Sequence, residues 1–388
     1  MNTPPNPWQA AVEPWRVERI LAQLADHRWP DAPAATADLA DWRYGTDLAF
    51  LRRLVAHWTG AYDWNAGLSA LNRWPQFQAG IDGFDIHFVH VRGSGSGRLP
   101  LLLVHGWPGS FFEYHKLVER LCFPARHGGR AEDGCDVVIP SLPGFGFSSK
   151  PSRPIGLRRT AGLLHRLMHE TLGYSRYGVQ GGDMGSAVAT WLALDHPGQV
   201  AGIHLNLCLM AAADQQAPQG DDELAWARAM QATQAREMAY WAVHHTRPQT
   251  IALALHDNPV GVAAWIVEKL QRWSDVGNDL TQRYTFDEII ALLMVYLVTD
   301  TIGSSIWMYR GTVDEDAGGL PAGARITVPT ACAVFPKEFL PWPPRSRVER
   351  TFNLQRWNVM AAGGHFPALE EPQVLAQDVM AFFGASRS

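Results

Sequence analysis

Cysteine is scarce in this sequence, with four residues in a chain of 388. None of them (Cys122, Cys135, Cys208 and Cys332) stands in a CxxC pair or at the spacing of a metal site. Three of the four lie in or beside apolar stretches that are typical of buried segments. The sequence therefore predicts reduced core cysteines of a cytoplasmic protein and argues against a disulfide framework.

Long hydrophobic runs and clusters of positive charge are also missing. No run of about 18 apolar residues occurs, and the N-terminus lacks a charged segment followed by an apolar run. We therefore expect neither a membrane anchor nor a signal peptide. The formal net charge of −5, with no cluster of Lys and Arg, argues against a nucleic-acid partner.

Short β-rich runs alternate with helical segments over much of the chain. Strands are predicted at 84–91, 101–104, 136–140, directly before Asp183 and at 200–207, and again at 326–334 and 356–360. This alternation is typical of an α/β fold with a mostly parallel sheet buried on both faces. A helical stretch at 209–322 interrupts it and predicts a cap inserted between two halves of the sheet.

The chain therefore divides into four predicted parts. Residues 1–98 form an N-terminal helical meander with the first strands, 99–208 the first part of the core, 209–322 the cap, and 323–388 the second part of the core. Residues 1–80 show helical spacing and no strand pattern. Thr46 and Asp63 are candidate N-caps of two helices in this meander.

A carboxylate stands at the centre of Gly181-Gly182-Asp183-Met184-Gly185. An apolar run precedes it and a helical run follows it, which is the pattern of the nucleophile elbow of α/β-hydrolases with aspartate in place of serine. The flanking residues must be small because the turn strains its central residue. A carboxylate nucleophile attacks an alkyl carbon and leaves an ester that water must then cleave.

Such a nucleophile needs a base for water and a residue that orients the base. His365 follows the last predicted strand, where the chain order of nucleophile, acid and histidine requires it. Glu338 directly follows the strand at 326–334 and is the candidate orienting acid, with Glu370 and Glu371 as weaker substitutes.

The reaction also needs donors for the oxyanion. The loop His105-Gly106-Trp107-Pro108 follows an earlier strand, where one half of the oxyanion hole of an α/β-hydrolase originates. We expect the backbone N–H groups of Trp107 and Met184 to point at the ester carbonyl oxygen.

These motifs, in this order, resemble those of the microsomal-type epoxide hydrolase family. The resemblance rests on His105-Gly106-Trp107-Pro108-Gly109-Ser110, Ser141-Leu142-Pro143-Gly144-Phe145-Gly146-Phe147-Ser148, Gly181-Gly182-Asp183-Met184-Gly185-Ser186 and the stretch from Gly363-Gly364-His365 to Glu371-Pro372. The N-terminal part, with Trp29-Pro30-Asp31, Tyr44-Gly45, Asp63-Trp64 and Pro75-Gln76-Phe77, is similar to that family's N-terminal helical region. The resemblance implies hydrolysis of an epoxide to a vicinal diol without a cofactor or a metal, with Asp183 as nucleophile and Glu338 and His365 as the charge pair.

The resemblance also implies two cap tyrosines that donate hydrogen bonds to the epoxide oxygen. Tyr240, shortly before Thr246-Arg247-Pro248, matches the first, and Tyr309 matches the second. The chemistry of phenols is compatible with this role, because a phenol with a pKa of about 10 can share a proton with the alkoxide of an opening ring.

Two methionines depart from the family's pattern. Met184 stands after the nucleophile, where similar enzymes usually carry tryptophan, and Met308 takes a place held by proline in some similar chains. The backbone N–H of Met184 is unaffected, so we expect the oxyanion hole to persist beside a more flexible pocket wall. Met308 is expected to alter how Tyr309 is presented.

Aromatic and apolar side chains near the motifs predict a pocket for a small hydrophobic epoxide. They are Trp107, Trp241, Trp307, Met308, Phe335 and Phe366. The pair His244-His245 is interpreted as two polar cap residues.

Two other functions fit parts of the pattern. A haloalkane dehalogenase uses the same aspartate, acid and histidine, but it needs N–H donors for the halide, commonly from a tryptophan where Met184 stands. A non-catalytic receptor on the same fold would bind a ligand and never convert it. The sequence leaves open which epoxide is used, whether the role is detoxification or biosynthesis, and the oligomeric state, a homodimer being one option.

Overall fold

The computed structural model describes residues 4–31 and 42–384 of the chain. The strands are β1 Asn6–Trp8, β2 Gln76–Ile81, β3 Phe84–Val91, β4 Leu101–Val104, β5 Val137–Pro140, β6 Tyr177–Gly181, β7 Val200–Leu205, β8 Ile326–Val334 and β9 Phe352–Val359. The helices are α1 Pro14–Ala25, α2 Leu48–Gly60, α3 Trp64–Leu71, α4 His115–Cys122, α5 Leu157–Arg166, α6 Asp183–Asp195, α7 Gly220–Glu237, α8 Ala239–Thr246, α9 Pro248–Leu255, α10 Pro259–Trp273, α11 Phe286–Thr299, α12 Ile302–Asp314, α13 Arg345–Thr351, α14 Pro367–Glu370 and α15 Pro372–Phe383.

These strands form one mostly parallel sheet in the order β1-β2-β3-β5-β4-β6-β7-β8-β9. The pairs from β1 to β3 and the pair β3–β5 are antiparallel, and every later pair is parallel. All residues of β4, β5 and β6 are buried, as expected for central strands covered on both faces. The predicted α/β class is confirmed.

The N-terminal region differs from its prediction at two points. It contains β1 and most of β2, which pair antiparallel with each other, although the sequence indicated no strand in residues 1–80. Three residues that include a proline are too few to show an alternating pattern, so β1 left no signal. Helix α2 is capped by Asp47, whose side chain accepts from the N–H of Phe50 at 2.7 Å, and not by Thr46.

Thr46 instead makes a tertiary contact, because its hydroxyl donates to the carbonyl of Ala264 in the cap at 2.6 Å. Asp63 caps α3 as predicted, accepting from the N–H of Asn65. Aspartate is preferred over threonine as an N-cap, so local propensity also favours Asp47 over Thr46 at the start of α2.

Helices α7 to α12 follow β7 and precede β8, and they form the cap. The chain bends by 119° between α9 and α10 and by 85° between α11 and α12. Asp257 and Asp300 stand at these two bends with left-handed backbone angles, φ 57° and 55°. The second bend sets the direction of α12, the helix that carries Tyr309.

Helix α1 contacts both bends of the cap. Arg16 Nη1 lies 2.7 Å from Asp300 Oδ2, and Arg19 Nε donates to Asp257 Oδ1 at 2.9 Å. The Arg19 pair is exposed and the Arg16 pair is partly exposed, so solvent screens both and neither is a main source of stability. The two pairs attach one face of α1 to both bends of the cap and so fix where this helix lies.

Within the ranges 4–31 and 42–384, no single helix is long and apolar enough to cross a membrane. Only the bent pairs α9–α10 and α11–α12 reach that length and composition when each pair is taken together.

A buried carboxylate joins the last helix to the sheet. Asp378 of α15 accepts hydrogen bonds from His204 Nε2 of β7 at 2.9 Å, from Arg356 Nε of β9 at 2.8 Å and from Asn358 Nδ2 at 2.6 Å. Burial alone would raise the pKa of Asp378, but these partners outweigh it and lower the pKa to about 2.

Replacing this carboxylate is expected to destabilise the fold. Asp378→Ala leaves the buried imidazole of His204 and the partly exposed side chains of Arg356 and Asn358 without their acceptor, so the free energy of unfolding in urea at pH 7 should fall by about 1–3 kcal/mol. Because the pKa of Asp378 is depressed in the folded state, its contribution is present above about pH 4 and is lost as the pH falls towards 2.

The difference in unfolding free energy between wild type and Asp378→Ala should therefore be smaller at pH 3 than at pH 7. The control is Asp314→Ala, which removes an exposed ion pair with Arg310 and should change the unfolding free energy by less than about 1 kcal/mol. Equal losses in the two variants would contradict the role given to Asp378.

Candidate active site

Asp183 occupies the turn between β6 and α6 with a left-handed backbone, φ 47°. Glycines make this turn possible by leaving room for the backbone around it. A Cβ on Gly181 would lie 2.4 Å from the carbonyl oxygen of Gly185, and a Cβ on Gly185 would lie 1.8 Å from that of Val104. Strand β4 therefore approaches the start of α6 so closely that no side chain fits between them.

The carboxylate of Asp183 is held by the loop after β4. The N–H of Trp107 donates to Asp183 Oδ1 at 2.9 Å. A Cβ on Gly106 would lie 2.2 Å from the same oxygen, so this loop reaches the carboxylate only with glycine there. The N–H of Met184 lies in the first turn of α6, where an α-helix has no internal acceptor for its N–H groups.

His365 stands between two carboxylates. Its Nδ1 donates to Glu338, with 2.9 and 2.8 Å to the two carboxylate oxygens, and its Nε2 lies 3.3 Å from Asp183 Oδ2. The side chains of His365 and Glu338 are each only 1% exposed. Burial alone would lower the pKa of His365, but the charge of Glu338 and the proximity of Asp183 outweigh it and raise that pKa well above its ordinary value.

The loop that carries His365 is fixed by a second buried carboxylate. Glu370 accepts the N–H groups of Gly364 at 3.0 Å, Phe366 at 2.9 Å and Asp275 at 2.7 Å. It therefore holds the backbone on both sides of His365 and does not contact the imidazole. Glu371, the other proposed substitute for Glu338, pairs with Arg283 at 2.8 Å.

The two cap tyrosines lie on the same side of the site as Asp183. Tyr240 of α8 and Tyr309 of α12 have ring centroids 6.1 Å apart and nearly perpendicular planes, and both rings contact Trp107. Burial raises the pKa of each phenol well above its ordinary value, and the negative charge of Asp183 raises it further. Both phenols therefore carry their proton at neutral pH.

The predicted pocket residues fall into two groups. Trp107, Met184, Met308, Phe335 and Phe366 are all buried, and Phe366 packs on His365 with ring centroids 4.9 Å apart. Trp241 does not belong with them, because it is 40% exposed and contacts His245 on the outer face of α8. One residue along a helix turns a side chain by about 100°, so the neighbour of buried Tyr240 faces solvent. Trp307 is half-buried, and its place in the pocket stays a prediction.

Three side chains that the sequence analysis did not assign to the site belong to it. Trp273 at the end of α10 is fully buried and contacts Tyr240 and His365, with ring centroids 5.2 and 5.0 Å apart, and its carbonyl accepts the N–H of His365. His244 is also fully buried, so this polar cap residue belongs to the interior of the cap. It lies one helical turn after Tyr240, and that spacing was the available signal.

The third is Glu113, which lies against the loop that follows β4 and carries Trp107. A Cβ on Gly109 would lie 2.1 Å from its Oε2. Burial raises the pKa of Glu113 to about 8, so this carboxyl is largely protonated at neutral pH. A neutral acid there adds no second negative charge beside Asp183. Tyr296 of α11 anchors the cap to the same loop, donating to the carbonyl of Gly109 at 2.6 Å.

A separate cavity of about 780 Å³ lies between α4 and α15. Its walls include Leu99, Arg120, Cys135 and Phe383, and none of the predicted site residues lines it. In the part of the chain that the structure describes, no three His, Cys, Asp or Glu side chains are grouped to hold a metal ion.

Comparisons with known proteins agree with this architecture. Residues 5–114 match the family model "Epoxide hydrolase N terminus", and residues 100–251 match the model "alpha/beta hydrolase fold". Epoxide hydrolase 1 of Sus scrofa is 33% identical over 96% of this chain and 89% of its own length. Juvenile hormone epoxide hydrolase 2 of Ctenocephalides felis is 34% identical over 98% of this chain and 85% of its own.

A solved structure shows the same fold. The epoxide hydrolase of Aspergillus niger superposes with a TM-score of 0.84 at 30% identity, covering 98% of this chain and 96% of its own. The similarity thus includes the N-terminal region and the cap as well as the sheet.

The close approach at the elbow yields a stability prediction. Gly185→Ala places a methyl group 1.8 Å from a backbone oxygen that cannot move without displacing β4, so we expect a loss of at least about 3 kcal/mol or insoluble protein. Gly162→Ala in α5 is the matched control, because a methyl group there meets no atom within 4 Å and should stabilise the helix by about 0.5–1 kcal/mol. Thermal unfolding of both variants distinguishes the two effects, and a Gly185→Ala protein as stable as wild type would contradict the model of the elbow.

Proposed function

This chain belongs to the epoxide hydrolase family, and from that premise we propose that it converts a hydrophobic epoxide to a vicinal diol through a covalent ester on Asp183. One observation carries the proposal. The two oxygens of the Asp183 carboxylate have different partners, since Oδ1 accepts the N–H of Trp107 while Oδ2 faces His365 at 3.3 Å. A carboxylate held in this way has one oxygen fixed and the other free to bond to carbon.

In the first step, Oδ2 of Asp183 attacks a ring carbon of the epoxide. The C–O bond of the ring breaks, and its electron pair goes to the epoxide oxygen. The phenols of Tyr240 and Tyr309 donate hydrogen bonds to that oxygen, and one of them supplies the proton that it needs. Their burial beside Asp183 keeps both protonated, which supports this role.

In the second step, water attacks the ester carbonyl. His365 takes a proton from this water through Nε2, while Glu338 accepts the Nδ1–H and stabilises the imidazolium. Negative charge then develops on Oδ1, which already accepts the N–H of Trp107, and the N–H of Met184 completes the hole. Collapse of the intermediate breaks the C–O bond to the diol, whose oxygen takes the proton held by His365. The new carboxyl group gives up its proton, the tyrosinate regains one, and the carboxylate and both phenols are restored.

The charge balance at His365 favours this order of steps. Two carboxylates hold its pKa high in the free enzyme. Formation of the ester removes the negative charge of Asp183, so the pKa of His365 falls when the residue must act as a base. The same neutralisation makes attack of water on the ester carbon easier.

Side chains around Asp183 support a hydrophobic substrate. The buried rings of Trp107, Trp273 and Phe366 leave a largely apolar environment near the carboxylate.

The four cysteines are free and buried, which is compatible with the proposal of a reducing, cytoplasmic location.

The covalent ester is tested by trapping it. His365→Gln should accept an aryl, alkyl or terpenoid epoxide and stall, and intact-protein mass spectrometry should show an increase equal to the mass of the epoxide. Asp183→Ala should show neither the adduct nor diol formation. Turnover by Asp183→Ala, or halide release from a chloroalkane in place of diol formation, would refute the proposal.

Isotope labelling gives an independent test of the bond that breaks. In a single turnover in H₂¹⁸O, the diol should contain no ¹⁸O, because its new oxygen comes from Asp183 and the water oxygen stays on the enzyme. Direct attack of water on the epoxide would place ¹⁸O in the first diol.

The phenols are tested in the first step alone. Tyr240→Phe and Tyr309→Phe should each slow ester formation by about 10²-fold or more, since each removes a donor to the developing alkoxide. Hydrolysis of an ester already formed should change by less than about threefold. Stopped-flow fluorescence of the site tryptophans separates the two rates, and an equal loss in both steps would indicate a packing role instead.

A further inference from the structure

His244 is a fully buried histidine that the proposed mechanism does not use. It projects from α8 into the aromatic cluster of the site, with its ring centroid 4.6 Å from that of Trp107, 4.8 Å from Tyr309 and 5.4 Å from Tyr240. An apolar side chain could pack here without the free-energy cost of burying an imidazole, whose nitrogens need hydrogen-bond partners.

One nitrogen of His244 has such a partner, and that partner fixes the tautomer. The indole Nε1 of Trp265 donates to His244 Nε2 at 3.1 Å. An indole N–H can only donate, so Nε2 must be the unprotonated nitrogen. Burial lowers the pKa of His244 to about 3, so the ring is neutral at working pH and its hydrogen stands on Nδ1.

The other nitrogen has none. Nδ1 of His244 and the hydroxyl of Tyr309 are both buried, and neither has a hydrogen-bond partner among the residues that the structure describes, so the two atoms do not bond each other before substrate binds. The phenol of Tyr240 is the polar group that interacts with the Tyr309 hydroxyl. The Nδ1–H of His244 is a donor, and the Tyr309 hydroxyl can accept as well as donate. They belong to adjacent rings on neighbouring cap helices, α8 and α12.

We propose that His244 is a positioning residue for ring opening, which donates its Nδ1–H to the phenol oxygen of Tyr309 while Tyr309 donates its own hydrogen to the epoxide oxygen. This inference rests on the proposed function and adds a residue to its first step. No atom is gained or lost at His244. The proton moves from Tyr309 to the former ring oxygen, and the Nδ1–H stabilises the negative charge left on the phenol.

The surroundings of Tyr309 show why such a donor is needed. Burial and the charge of Asp183 make its phenol a weak acid, and Tyr240 and Tyr296 add no positive charge. Lys269 of α10 is a cation beside this cluster, with Nζ 5.0 Å from the ring centroid of Tyr240, and it is paired with Glu268. A neutral N–H fixed by Trp265 stabilises a phenolate without bringing a charge that would attract the Asp183 carboxylate.

The proposed bond would also orient the Tyr309 proton. The rings of Trp107 and Tyr240 pack beside Tyr309, each with its centroid 6.1 Å from that of Tyr309. Once the phenol oxygen accepts the Nδ1–H of His244, its own hydrogen is left for the epoxide oxygen.

The test is a double-mutant cycle on the single-turnover rate of ester formation with styrene oxide. His244→Leu should slow this step by about 10-fold to 100-fold in the wild-type background and by less than twofold in the Tyr309→Phe background. An equal loss in both backgrounds would overturn the inference, because a packing defect does not depend on the Tyr309 hydroxyl.

Two further variants keep the test decisive if His244→Leu fails to fold. His244→Asn retains an N–H close to the position of Nδ1 and should recover much of the rate. Trp265→Phe frees the tautomer and should slow ester formation by several fold, with KM little changed. His245→Gln, on the neighbouring partly exposed position, is the control and should behave as wild type.

The tautomer is tested without any substrate. ¹⁵N NMR of histidine-labelled wild-type protein should show His244 protonated on Nδ1 from pH 5 to 9. Protonation on Nε2 would overturn the inference and leave the proposed function intact. Failure of the wild type to form an ester or a diol with every epoxide of an aryl, alkyl and terpenoid panel would instead overturn the proposed function, and the role of His244 with it.

Discussion

The left-handed turn at Asp183 depends on a backbone-to-backbone approach that only glycine permits. Gly181, Gly185 and Gly106 bring β6, α6 and the loop after β4 to within contact distance of one another. This approach lets the N–H of Trp107 reach one oxygen of the carboxylate. The other oxygen is thereby aimed at His365, so the geometry of the whole site follows from the small volume of three residues.

Around this turn, the buried carboxyl groups differ in their hydrogen-bond partners and in their protonation. Glu338 accepts the imidazole, Glu370 accepts three backbone N–H groups, and Glu113 is largely protonated. Four acidic groups, with Asp183, can stand within one buried region because their charges are shared with His365, dispersed over amides or removed by a proton. The sheet contributes the remaining support, since the Asp378 cluster fixes the helix that follows the His365 loop.

Sequence alone predicted the features that neighbouring residues determine by themselves. The elbow, the strand 326–334 and the cap of α3 at Asp63 are of this kind. Trp241 was wrongly placed in the pocket, because its position on α8 turns it away from the side of Tyr240. The bond of Thr46 to Ala264 and that of His244 to Trp265 are tertiary contacts that no local pattern predicts. Trp273 has no motif of its own, and its place beside His365 depends on where α10 ends relative to a loop some ninety positions later. The roles of the site residues stay predictions that the proposed experiments address.

The contacts between α1 and the cap have a consequence for biosynthesis. Arg16 and its partner Asp300 are 284 positions apart in the chain. At about 5–20 residues per second, the ribosome delivers the aspartate roughly 15–60 s after the arginine. During that interval the apolar side of the first helix, with Val17, Ile20 and Leu24, lacks the cap helices that it contacts in the folded protein, so the N-terminal region can complete its packing only near the end of translation.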